Sequence, residues 1–120
     1  MPSKVVTADD TAAEIAAERE NAVVLAKSLT IDNQGGTTDR VITLQDVFAP
    51  SNYYGAPTPI PAQDIERFKM KAIAGDVITL GEEDLKGVKC LGAMKVLSDV
   101  ADMVGGATDH CYVTVGYEHE

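Results

Sequence analysis

The chain has 120 residues and no tryptophan, and aromatic residues make up only 5% of it. A core without large rings must rest on Val, Ile, Leu, Met and Ala, and a domain of this length buries one core of modest size. Cysteine is equally sparse: Cys90 and Cys111 are the only two. Two thiols are too few for a disulfide framework, and they either meet across neighbouring strands or, as the safer reading has it, stay reduced and buried as small hydrophobes. Positive charge is short as well. Ten Lys and Arg face nineteen Asp and Glu, for a net charge of -9, which repels nucleic acid and anionic membrane surfaces and removes both from the expected partners. No Lys or Arg follows Lys95, whereas Asp99, Asp102, Asp109, Glu118 and Glu120 all do. No apolar run has bilayer-spanning length, and the first residues lack the charged-then-apolar pattern of a secretion signal.

The motifs that carry chemistry are also missing. Cys90, His110, Cys111 and His119 are the soft-metal ligand types apart from methionine, but they show no paired short spacing of the C-x2-C kind, so no metal is expected. Adjacent His110 and Cys111 would point to opposite faces of a strand. Nothing around Cys90 resembles the helix N-terminus or strained elbow that activates a thiol. The acids Glu82, Glu83 and Asp84 do not follow calcium-loop spacing, and Gly35-Gly36 and Gly105-Gly106 lack a phosphate-cradling pattern. The expectation is a protein that is not an enzyme and carries no cofactor.

What the chain does have is alternation. In Cys111-Tyr112-Val113-Thr114-Val115-Gly116-Tyr117 the odd positions are apolar and the even ones are not, the period of a half-buried strand. Val23-Leu25-Lys27-Leu29-Ile31 repeats this with one lysine on the inner face, and Ile42 and Leu44 with Phe48 repeat it on even positions. Phe68, Met70, Ala72 and Ala74 share one face of a further strand. Between Val23–Asp32 and Arg40–Phe48, the segment Asn33-Gln34-Gly35-Gly36-Thr37 reads as a hairpin turn with two glycines free to take positive φ. Gly75-Asp76 marks a tight turn, Gly81 to Gly87 an acidic break with room for one helical turn, and Gly92 a bulge or a bend between sheets. About seven antiparallel strands joined this way predict an all-β fold, a β-sandwich or jelly-roll-like barrel, over residues 22–120.

Residues 1–21 differ. Ala8 to Glu20 is rich in alanine and charge, Ile15 is its one large apolar side chain, and Thr11 and Glu14 stand at capping-box spacing. A helix this short and polar is marginal in water, so the segment reads as an N-terminal arm that orders on a partner. Ala49 to Pro61 holds four of the five prolines with Tyr53 and Tyr54. It predicts a stiff surface loop whose tyrosines either make contacts or fold back over the sandwich end. Arg67, Lys69 and Lys71 share one strand face as a short basic stripe, either a contact surface or a solvated face.

The pattern of the Ser28–Asn33 and Arg40–Phe48 segments, Gly75-Asp76-Val77-Ile78-Thr79-Leu80 and the closing Cys111 to Glu118 strand resembles the small decoration or cement proteins of bacteriophage heads. That resemblance implies a structural virion protein on the capsid surface. It would bind the major capsid protein and neighbouring copies of itself, and stabilise the shell as a homo-oligomer. The implied contact residues are Ile15 of the arm, Tyr53 and Tyr54, and Arg67, Lys69 and Lys71. A carbohydrate-binding or adhesin-like module, with the two tyrosines stacking on sugar rings, is the competing reading.

Overall fold

The computed structural model describes residues 3–19, 22–48 and 63–120. The expected proline-rich loop, with Tyr53 and Tyr54, lies outside the described residues. Within them the fold is all-β, with nine strands: β1 (Ser3–Thr7), β2 (Ala13–Ala16), β3 (Val24–Asp32), β4 (Arg40–Phe48), β5 (Gln63–Ala72), β6 (Val77–Leu80), β7 (Lys89–Cys90), β8 (Ala93–Ser98) and β9 (Tyr112–His119).

Two antiparallel sheets pack face to face. The first runs β1-β9-β3-β6, with the short β7 pairing beside β6 on the same edge of β3, and the second runs β2-β8-β4-β5. The pairs β1 with β9, β2 with β8, β3 with β6 and β4 with β5 describe one long hairpin. The further pairs β3 with β9 and β4 with β8 roll that hairpin into a closed double layer. This is jelly-roll connectivity, in which most consecutive strands lie in opposite sheets. Side chains from the two inner faces interdigitate in one core: Leu29, Ile31, Val113 and Val115 from the first sheet meet Ile42, Leu44, Met94 and Val96 from the second, all with at most 1% exposure. Truncating Leu29 or Leu44 to alanine removes roughly 2–5 kcal/mol, because such a site closes only partly.

Several expectations change. Asn33 to Thr37 does not close a hairpin, since β3 and β4 belong to different sheets and the segment arches between them. Neither Gly35 nor Gly36 has positive φ. Gly36 is needed for space instead, because a Cβ there would collide with the side-chain oxygen of Asn33. The odd-position face expected along β3 holds only for its second half. A bulge at Lys27, between the pairs Ala26 with Tyr117 and Ser28 with Gly116, shifts the inward set from Val24 and Ala26 to Leu29 and Ile31. The extra residue re-aims its side chain, and Lys27 leaves the core for Glu82 and Glu118, with Nζ 3.0 and 3.7 Å from their oxygens.

The first residues are not a detached helical arm: β1 and β2 are edge strands of the two sheets, and Ile15 is core at 2% exposure. Their alternation is too short to stand out in sequence, and pairing with β9 and β8 supplies the hydrogen bonds that local propensity does not. The bend foreseen at Gly92 is present, where the chain passes from β7 in one sheet to β8 in the other. Gly81 to Gly87 is a run of turns with one helical bond, from Leu85 N–H to Gly81 O at 3.3 Å, and it buries Leu85. Nine strands replace the expected seven because β1 and β2 join the sheets.

Candidate functional site

The connections β1–β2, β3–β4, β5–β6 and β8–β9 gather at one end of the jelly roll, and a buried polar cluster holds them. Arg40 and Asp109 are both 0% exposed, with guanidinium nitrogen and carboxylate oxygen 3.2 Å apart. Arg40 also donates to the carbonyls of Ala101 at 3.1 Å and Asp109 at 3.3 Å. The Asp109 carboxylate accepts from Thr37 N–H at 2.7 Å, Gly105 N–H at 2.8 Å and the Thr38 hydroxyl at 2.9 Å. These donors, led by Thr37 N–H and outweighing the effect of burial, hold Asp109 well below the usual carboxylate range.

Asn33, also fully buried, ties the β3–β4 and β5–β6 connections together: its side-chain NH2 donates to Thr38 O and Ala72 O at 3.1 and 3.3 Å, and its backbone carbonyl accepts from Gly75 N–H at 2.9 Å. The Asp9 carboxylate accepts from Asp102 N–H at 3.2 Å and, with Asp10 N–H adding to that bond, its pKa is lowered. This framework presents apolar side chains outward. Ile73 and Val77 flank the β5–β6 turn at 53% and 51% exposure, and Met103 and Val104 stand on the β8–β9 connection at 49% and 55%. Met103 has φ of +58°, a strained conformation for a side chain of its size, and its N–H donates to Asp109 O at 2.9 Å. The loop is held in place from inside.

Beside it lies an open groove of about 330 Å³ lined by Asp32, Gln34, Gly35, Thr108, His110 and Tyr112. His110 Nδ1 is 3.2 Å from Asp102 Oδ1, and the rings of His110 and Tyr112 stack at 5.9 Å. A larger groove of about 440 Å³ lies between the start of β3 and the Gly81–Val88 turns. Among the described residues no cluster of His, Cys, Asp or Glu has metal-binding geometry.

Among the described residues, the expected contact residues Ile15, Arg67, Lys69 and Lys71 do not share one surface. Ile15 is inside the core, so no partner reaches it. Arg67 occupies a bulge in β5 opposite Leu44 and Gln45, where it turns onto the buried Asp46 with Nε 3.0 Å from a carboxylate oxygen and a closer second contact at 2.6 Å. Lys69 and Lys71 remain exposed, but Glu66 at 3.7 Å and Asp39 at 3.9 Å partner them. The basic stripe is therefore neutralised by carboxylates of its own chain. Sequence reasoning missed Arg40, Asp46 and Asp109 as interior groups. Their one signal was position: Arg40 and Asp46 continue the even-numbered inward face of Ile42 and Leu44.

Both thiols are buried and free. Burial, reinforced by the nearby Asp46 carboxylate, pushes Cys90 up to about 12, and burial pushes Cys111 up to about 11. They sit at opposite ends of β3, Cys90 paired with Val24 and Cys111 next to the partner of Asp32, so they do not meet. No known protein family, curated protein or solved structure matches this chain.

Proposed function

We propose that this chain is a structural virion protein, not an enzyme, which docks on the outer capsid lattice and bridges neighbouring subunits. The observation that carries the reading is the loop end. Four large apolar side chains, Ile73, Val77, Met103 and Val104, stand about half exposed on connections pinned by buried groups, Asn33 under the β5–β6 turn and the Arg40–Asp109 pair under the β8–β9 connection. Exposed apolar groups on a rigid support suit a protein surface, because docking then costs little further ordering. The jelly-roll connectivity adds fold-level analogy, since the fold recurs in viral capsid domains as well as in lectins and cupins. Repetition over a symmetric shell lets each contact be small, as linked weak sites act together through avidity.

Immunogold electron microscopy tests this, with antibody raised against the purified chain and particles collected from the lysate that produces it. Regular label on particle surfaces is expected. Particles without label, while the protein remains free in the lysate, would overturn the assignment.

A further inference from the structure

A sandwich has four edges, and three of them here are blunted against strand addition. Edge β5 carries Asp64, Glu66, Arg67, Lys69 and Lys71 and bulges at Arg67. Edge β2 has four residues with a register shift between Glu14 and Ala16. Edge β6 also has four residues and is bracketed by Asp76 and the acids Glu82, Glu83 and Asp84, so two such edges would bring like charges together. Charge, bulges and shortness are the usual protections of an open edge.

Edge β1 lacks most of these. Its five residues pair with β9 without a register shift, and Lys4 is its only charge. On a chain with nineteen acids, β1 has none and β9 has only Glu118. The outer face beside this edge is a row of uncharged side chains across four strands, Val5, Thr114, Thr30 and Thr79, successive neighbours in register. Val5 ends that row at 61% exposure, the highest of any large apolar residue described.

We propose that β1 is the seam of a twofold dimer, pairing antiparallel with β1 of a second copy in a register centred on Val5. Val5 then faces Val5, Lys4 faces Val6 and Ser3 faces Thr7, so no like charges are directly opposed. The first sheet continues through both copies, and both β1 edges are closed. A twofold seam needs a self-complementary patch, which a strand paired antiparallel with itself provides. The two Lys4 side chains become diagonal neighbours about 7–8 Å apart, so salt screens their repulsion and tightens the dimer. This deepens the assembly reading and rests on it for the biological use of the neighbouring copy.

The test uses the purified full chain with no shell present, so its failure is separate from failure of the labelling experiment. Light scattering should give twice the chain mass, with a dissociation constant that falls as salt rises. Val5→Lys should give a folded monomer by circular dichroism, because the side chain is exposed. Val5→Cys should yield a covalent dimer with a short bismaleimide, against a clean background because Cys90 and Cys111 are buried. A monomeric native chain that does not cross-link, a dimer indifferent to Val5→Lys, or mass that grows without limit in a head-to-tail chain would each overturn the seam.

Discussion

The two ends of β4 solve one problem differently. The inward face of this strand reads Arg40, Ile42, Leu44, Asp46, with apolar residues in the middle and opposite charges at the ends, all at most 1% exposed. At the first end Arg40 meets Asp109, and neither side chain reaches solvent. At the second, Asp46 accepts from Leu91 and Gly92 N–H at 2.9 Å each, while its ion partner Arg67 keeps 30% side-chain exposure. The first pair fastens long connections to one another. The second fastens the crossing from β7 to β8 and stays in contact with water. A buried pair contributes little over apolar packing, yet breaking it strands a charge, so the enclosed end should be the more fragile.

Arg40→Met sharpens that comparison most. It leaves Asp109 without its cation and should cost roughly 3–5 kcal/mol by chemical denaturation. Acid reaches the same cluster without mutation. Asp109 ionises well below its ordinary value of 3.8, so between those values the unfolded chain binds a proton that the folded chain refuses. Stability from this group is therefore complete above about pH 4 and falls as pH drops below it. The loss should shrink in Arg40→Met, whose carboxylate has lost its cation; thermal melts from pH 5 to pH 2 measure it.

Gly36→Ala should cost about 1–3 kcal/mol through overpacking, since the new methyl would collide with a fully buried Asn33. If Asn33 yields instead, the melting temperature will not move. Arg67→Ala, at the open end, should cost only about 1–2 kcal/mol, because removing the part-exposed Arg67 side chain lets water reach Asp46 beside its two backbone donors. A loss equal to that of Arg40→Met would erase the distinction between the ends. The smallest effect belongs to the thiols. Neither Cys90 nor Cys111 should react with an aromatic disulfide reagent at pH 8 until the chain unfolds, and rapid labelling of either would show that its end opens.

Legibility along the sequence follows how far each feature depends on neighbours. The closing strand β9 was readable from Tyr112 to Val115, because Val113 and Val115 bury and Tyr112 and Thr114 do not, as simple alternation demands, whereas Gly116, expected on the outer face, is buried. β3 was readable in position but not in phase, since one extra residue at Lys27 exchanges the two faces halfway along. Asn33 to Thr37 carries the composition of a hairpin turn, yet composition does not encode which sheet the next strand joins. β1 and β2 were unreadable as strands, because four or five residues of mixed character acquire their conformation from β9 and β8. Of the expected contact residues, Ile15 went to the core and Arg67 to Asp46: β2 is placed by the distant β8, where Glu14 meets Lys95 and Ala16 meets Met94, and Asp46 lies 21 positions from Arg67, so neither destination follows from local pattern.

The sequence alone determined that the chain is all-β, acidic and built on a small aliphatic core, because hydrophobic period, charge count and residue type are local properties, whereas the separation of its two thiols came from the structure. Only the tertiary structure decided that the strands roll into a jelly roll, that Arg40, Asp46 and Asp109 lie inside it, and that β1 is the least protected edge among the described residues. Each of those depends on which distant segments meet. That is settled by the joint burial of apolar faces and the pairing of most buried polar groups, a condition on the whole chain rather than on any stretch of it.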